Sequence, residues 1–175
     1  GVKATGVLVA GDGVMITGAF PGTIDLGGGP LVAGKTFSQY AGFIARFAAK
    51  DGSHQWSHHL GNLSHSHIRG LRRDGKGRPL ATVVVGANAS LSGQSLKTAG
   101  LHLISIDPKT GAPVDDRDLG DLLPAKQWSK LGLAPASIAP GGAITLYVAL
   151  DFPTSFSFGQ LAADFGGGTL IHLPK

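Results

Sequence analysis

The sequence predicts an all-β, propeller-like chain of about three four-stranded antiparallel blades. Three observations carry that prediction. Glycine fills 28 of 175 positions, about twice its usual share, while charged residues at 15% fall well below the roughly 25% of an average domain. Helix signals are scarce. A strand-and-turn pattern also recurs with a period of about 60 to 68 residues, somewhat longer than common propeller repeats. With apolar residues at 42%, the chain is long enough to bury a core.

The first copy begins near Lys3 with the strand Val7-Leu8-Val9, followed by an Asp12-Gly13 turn. Next comes the apolar run Val14 to Ala19, then an alternating segment in which Ile24 and Leu26 share one face and Asp25 takes the other. An apolar run, small turn residues and an alternating segment read together as a hairpin. Gly42 to Phe47 reads as a third strand, Lys50 to Ser53 as a turn, and Gln55-Trp56-Ser57 as an outer strand.

The second copy begins near His65 and repeats this order. Ile68 to Leu71 precedes Asp74-Gly75, Thr82 to Val85 is the apolar run, and Ala89 and Leu91 flank Ser90. Gly100 to Ile106 is the third strand, Asp107 to Gly111 the turn, and Val114 to Arg117 the outer strand. In such turns Asp and Pro set the bend and Gly accepts positive φ without steric cost.

The third copy begins near Lys130, with Ala136 to Ile138, Leu146 to Leu150, Phe156 and Phe158 about Ser157, and Gly168 to Leu173. The resulting blades span 3–62, 65–121 and 130–175. The last stops after its third strand, so the missing strand is expected from outside this chain or from another subunit. Leu119 to Leu131 carries leucines at helical spacing before Pro124, enough for one short helical turn. A β-sandwich is the architectural alternative, because strands and Gly turns describe it too. The internal similarity favours blades.

The string Gly13 to Leu31, followed by Gly42-Phe43-Ile44-Ala45-Arg46-Phe47 and Asp51-Gly52-Ser53-His54-Gln55-Trp56-Ser57, resembles the SBBP-type β-propeller repeats of exported Gram-negative proteins. Its "VTG-F-G" strand pair, "F-A-K" strand and "G-W" outer strand carry the likeness. The second copy departs from it, with Pro113-Val114 where the Trp would stand. The resemblance implies a propeller scaffold and export to the cell surface or medium, and it brings no shared catalytic residues.

No cysteine is present, so disulfide and thiolate-metal frameworks are excluded. No apolar run reaches the roughly 18 residues of a membrane helix. The chain starts directly in strand-like sequence, as a mature protein or an excised fragment would. Net charge is +4, but the one basic group, Arg69, Arg72, Arg73, Lys76 and Arg78, has no interleaved aromatics and reads as a solvated turn rather than a nucleic-acid surface.

Five histidines, His54, His58, His59, His65 and His67, fall within fourteen residues. Imidazole is the commonest metal ligand, and His65-x-His67 on a strand would put two rings on one face, with His58 as a third ligand. No carboxylate lies between Asp51 and Asp74, and a polar crossing between blades is the plain reading. Trp56 and Tyr40 are the aromatics that could stack on a sugar, although Trp in an outer strand equally suits a packing anchor. Ser, His and Asp occur without a nucleophile elbow. Gly27-Gly28-Gly29 and Gly166-Gly167-Gly168 precede strands, where they serve as turns or bulges rather than phosphate cradles.

The expected function is a non-enzymatic scaffold, adhesion or protein-interaction module without a cofactor. It pairs with a protein partner or with itself to complete the ring. A lectin-like glycan binder using Trp56 or Tyr40 is one alternative, and a metal-dependent hydrolase centred on the histidines is another.

Overall fold

The structure is a computed structural model that describes residues 1–34, 40–61, 66–86, 88–96 and 98–119 with their side chains, and the backbone of six later strands. All elements among the described residues are β-strands. In chain order these are β1 (Lys3–Ala10), β2 (Gly13–Pro21), β3 (Thr23–Asp25), β4 (Pro30–Val32), β5 (Tyr40–Ala48) and β6 (His54–Gly61). Then follow β7 (His67–Arg73), β8 (Pro79–Val85), β9 (Ser90–Leu91), β10 (Gln94–Ser95), β11 (Gly100–Ile106) and β12 (Pro113–Asp118). The backbone continues as β13 (Leu131–Leu133), β14 (Ser137–Ile138), β15 (Ile144–Leu150), β16 (Thr154–Phe158), β17 (Leu161–Phe165) and β18 (Thr169–Leu173). The expected helical turn lies, but for its two ends, outside the described residues.

One topology recurs. Strands β1-β2-β5-β6 form an antiparallel meander with the hairpin β3–β4 inserted between its second and third strands. Strands β7-β8-β11-β12 form a second meander, with β9–β10 inserted at the same place. In the third sheet β15 pairs with β13 and β14 and with β18, and the hairpin β16–β17 again falls between β15 and β18. The hairpin β9–β10 also pairs with β6, through Leu60 opposite Leu91, so the first sheet continues to six strands. All the sheets are open.

The first two sheets match down to their irregularities. Thr5 is an extra residue in β1, placed just before Gly6 opposite Thr17, and Arg69 is an extra residue in β7, just before Gly70 opposite Thr82. Gln55 bulges from β6 beside the Arg46–Trp56 pair, as Val114 bulges from β12 beside Ser105–Asp115. The turns between third and fourth strands also agree: Gly52 N–H donates to Ala48 O at 2.9 Å and Gly111 N–H to Asp107 O at 2.8 Å, with φ of 73° and 74°. Since bulges re-aim side chains and fix register, these coincidences make the two sheets one repeated unit.

One detail differs from the sequence reading. The alternating segment at Ile24 pairs onward with Leu31, not back with the strand before it, because both edges of β2 are already taken by β1 and β5. The alternation itself holds, with Ile24 and Leu26 half-buried over Phe20 and Phe43 while Asp25 is exposed. Asp25 Oδ1 accepts from Gly27 N–H at 2.7 Å and Gly29 N–H at 3.1 Å, tying the glycine run into the hairpin turn.

The sheets stack face to face. Met15, Ile44, Trp56 and Leu60 of the first meet Ile68, Leu71, Val83 and Ile104 of the second in one buried cluster. Strand β7 lies so close that a Cβ on Gly6 would fall 2.9 Å from Leu71 N, and one on Gly42 2.8 Å from Ile68 N. Glycine at those two positions lets backbone meet backbone. Strand β14 of the third sheet also approaches β7.

Candidate functional site

Strand alternation decides where the histidines go. His58 and His59 are adjacent and must face opposite ways, and the Gln55 bulge shifts the phase so that His54 joins His59 rather than His58. His54 meets the Phe47 ring edge-on at 5.9 Å, and its Nε2 lies 3.1 Å from Ser57 Oγ. His59 meets Phe20 edge-on at 6.5 Å. On the other face His58 stacks on Trp56 with centroids 5.5 Å apart, and its Nε2–H donates to Thr110 O at 2.8 Å. His67 sits on β7 opposite Val84. His65 lies outside the described residues, among which no group of three or more metal-ligating side chains converges.

Trp56 is 8% exposed and belongs to the core between the sheets. Its indole N–H donates to Pro108 O at 3.0 Å. The same carbonyl accepts from Arg46 Nη1 at 3.0 Å. Arg46, itself buried, reaches Ala10 O at 3.0 Å and Asp12 Oδ1 at 2.5 Å. The turn after β11 is thus clasped by three side chains of the first sheet, and Gly111 closes over them. A Cβ there would fall 2.5 Å from His58 Cδ2 and 2.7 Å from Trp56 Cε3. Sequence reading placed Arg46 in a strand but not in this clasp, since the acceptor it shares with Trp56, Pro108 O, lies 62 positions away and the other two lie 34 and 36 positions back.

A second feature of the seam is a cavity of about 240 Å³ lined by Lys3, Thr5, Ala19, Tyr40, His67, Ile68 and Arg69. Tyr40 and His67, singled out separately from the sequence, are brought to the same cavity, whereas Trp56 and His58 belong to the clasp. The basic group around Arg69 disperses. Arg72 and Lys76 are exposed, Arg73 Nη2 donates to Val9 O at 2.5 Å, and Arg78 pairs with Asp74 at 2.7 Å. Of the five it is Arg69 that lines the cavity, half-buried at its bulge.

Two histidines are poised on opposite sides of their ordinary pKa of 6.5. Burial lowers the His59 pKa, and the neighbouring His58 adds to that. Burial would lower His102 as well, but the hydrogen bond and charge of Asp116, 2.8 Å from Nδ1, outweigh it with help from Thr98 O and Asp118, so its pKa is raised. A raised pKa gives stability that is present below 6.5 and lost as pH rises through the folded value, while the depressed pKa of His59 removes stability as pH falls from 6.5 toward its folded value. The two histidines are therefore expected to give the pH profile of thermal unfolding an acidic limb below 6.5, from His59, and an alkaline limb above it, from His102. His102→Gln flattens the alkaline limb and His59→Gln the acidic one. Limbs that are unchanged in both variants would refute the assignment.

Comparison with protein-family models, with curated proteins and with solved structures found no match.

Proposed function

We propose that this chain is a non-enzymatic scaffold module whose stacked sheets are blades of a β-propeller-type ring, completed by docking a further unit on the open face of the first sheet. One observation carries this reading. Val7 in the first sheet occupies the position that Leu71 occupies in the second, each opposite its counterpart in the next strand, Ile16 and Ala81. Leu71 is buried in the stack at 1% exposure, whereas Val7 is 65% exposed and Val9 beside it 58%. A face built to be covered stands open, with the edge of hairpin β3–β4 beside it, where β9–β10 in the next unit pairs with β6.

Because each sheet offers one face forward and the other backward, a second copy docks head to tail, and such a contact closes when the rotation per unit permits a ring. The likeness to exported repeats supports placing the module outside the cell, in adhesion or protein recruitment. Light scattering is expected to give the mass of two chains at about micromolar to tens of micromolar concentration. Val7→Glu with Val9→Glu is expected to give one chain with an unchanged far-ultraviolet spectrum, since exposed strand positions tolerate such changes within about 1 kcal/mol. A wild-type chain that stays single throughout would overturn the docking.

A further inference from the structure

We propose that the cavity between the first strands of the two sheets binds a small organic carboxylate, with Arg69 as its principal anchor and Lys3 beside it. Among the described residues the lining holds two cations, the Tyr40 ring and phenol and an imidazole, and no carboxylate. Among the described residues Arg69 has no ion pair, and its Nε is buried with no hydrogen-bond partner. A guanidinium carries charge at any ordinary pH and offers five donors. Burial disfavours that charge here, pushing the group below the usual arginine range. An anion is what such a cation lacks.

The backbone points to the same place. Thr5 and Arg69 are the bulged residues of the two first strands, and both line the cavity. Thr5 spends its hydroxyl on Ile68 O at 2.9 Å, but its counterpart in the second sheet is a long cation whose Nε has no acceptor among the described residues. Bulges recur beside binding sites because they redirect one side chain without disturbing the rest of the sheet. In this seam they bring two side chains from different sheets to one hollow.

Size and lining narrow the ligand. A space of about 240 Å³ matches roughly eight waters at about 30 Å³ each and lies below the range of drug-sized pockets. Ala19, Ile68 and the Tyr40 ring supply apolar wall, which suits a compact body such as a single sugar ring carrying the carboxylate. The planar guanidinium fork matches a carboxylate in two-point contact.

The test is a titration of the full chain, followed by amide chemical shifts and by thermal shift at fixed ionic strength, with sodium D-galacturonate, sodium acetate, D-galactose and sodium sulfate. Galacturonate is expected to bind saturably with a dissociation constant of about 1 mM or tighter and about tenfold more tightly than acetate, while galactose shows no saturation. Arg69→Met is expected to weaken galacturonate by at least about tenfold while its unfolding temperature holds or rises, since it removes an unpaired charge from a half-buried position. Equal galacturonate affinity in Arg69→Met and wild type would overturn the proposal, as would no saturable carboxylate binding up to about 50 mM. Tighter binding of sulfate than of galacturonate would overturn the carboxylate assignment.

Discussion

Trp56→Ala is expected to destabilise the chain by about 3–5 kcal/mol, the range for removing a large aromatic from a packed core. Trp56 fills the space between the first two sheets beside Met15, Ile44 and Leu60. Its truncation leaves a cavity that the β-backbone on either side cannot collapse into, because β7 already touches the first sheet at Gly6 and Gly42. The loss also undoes part of the clasp. Pro108 O loses the indole donor, His58 loses its stacking partner, and Gly111 is left over the His58 ring alone.

The conservative variant separates these contributions. Trp56→Phe keeps most of the apolar burial, and Pro108 O retains its bond from Arg46, so a loss of about 1–2 kcal/mol is expected. Denaturant unfolding reads both values. Hydrogen exchange adds a local check: in Trp56→Ala the amides of the 107–111 turn should exchange faster, while those of the equivalent 48–53 turn, which no neighbouring sheet clasps among the described residues, should not change. A loss below about 1.5 kcal/mol for Trp56→Ala would mean that the indole is not the keystone of the seam.

Strands and turns were legible because their signals are local. Alternation at Ile24 and Leu26, glycines after aspartates and β-branched runs at Val83 to Val85 name a strand wherever it stands. Pairing was not legible to the same degree, since the segment at Ile24 alternates identically whether it bonds to the strand before it or the one after. The histidines show the effect of a single residue: His54 and His58 lie four apart and would share a face on a regular strand, but the Gln55 bulge separates them. Each bulge in a first strand is followed by a glycine opposite a threonine, Gly6 with Thr17 and Gly70 with Thr82. That recurrence is in the sequence, yet it acquires meaning only once the ladders are known.

The site residues divide in the same way. Trp56 was open between ligand platform and packing anchor, and its burial with the N–H engaged makes it an anchor. Tyr40 and His67 are separated by more than twenty positions, and only the stacking of β7 on β1 and β5 brings them to one cavity. Arg69 looked like one cation in a basic run because no local pattern marks which member of such a run a bulge will turn inward.

Asp74→Ala and Asp12→Ala are expected to differ sharply although both residues lie between the first and second strands of their sheets. Asp74 has a side chain 4% exposed. It accepts from the backbone N–H groups of Lys76 and Arg78 at 2.8 Å each, from Arg78 Nε at 2.7 Å and from Ser105 Oγ at 3.1 Å. Burial alone would raise its pKa, but the bonds from Arg78, Lys76 and Ser105 together hold it below 3.8. Removing it leaves two turn amides without their acceptor and takes the nearest partner from the guanidinium, which keeps Ser105 Oγ at 3.3 Å and Asp115 at 3.7 Å, a loss of about 2–3 kcal/mol.

Asp12 pairs with the buried Arg46, but its own side chain is 89% exposed, so water competes for it and Arg46 keeps Ala10 O and Pro108 O. Asp12→Ala is therefore expected to cost no more than about 1 kcal/mol. The pH dependence distinguishes them further. A depressed carboxyl pKa contributes stability that is present above 3.8 and lost as pH falls through the folded value, so Asp74→Asn should flatten the acid limb below 3.8. Equal losses for the two alanine variants would show that the turn tolerates the missing carboxylate in either sheet, and that the repeat is held by its apolar seam alone.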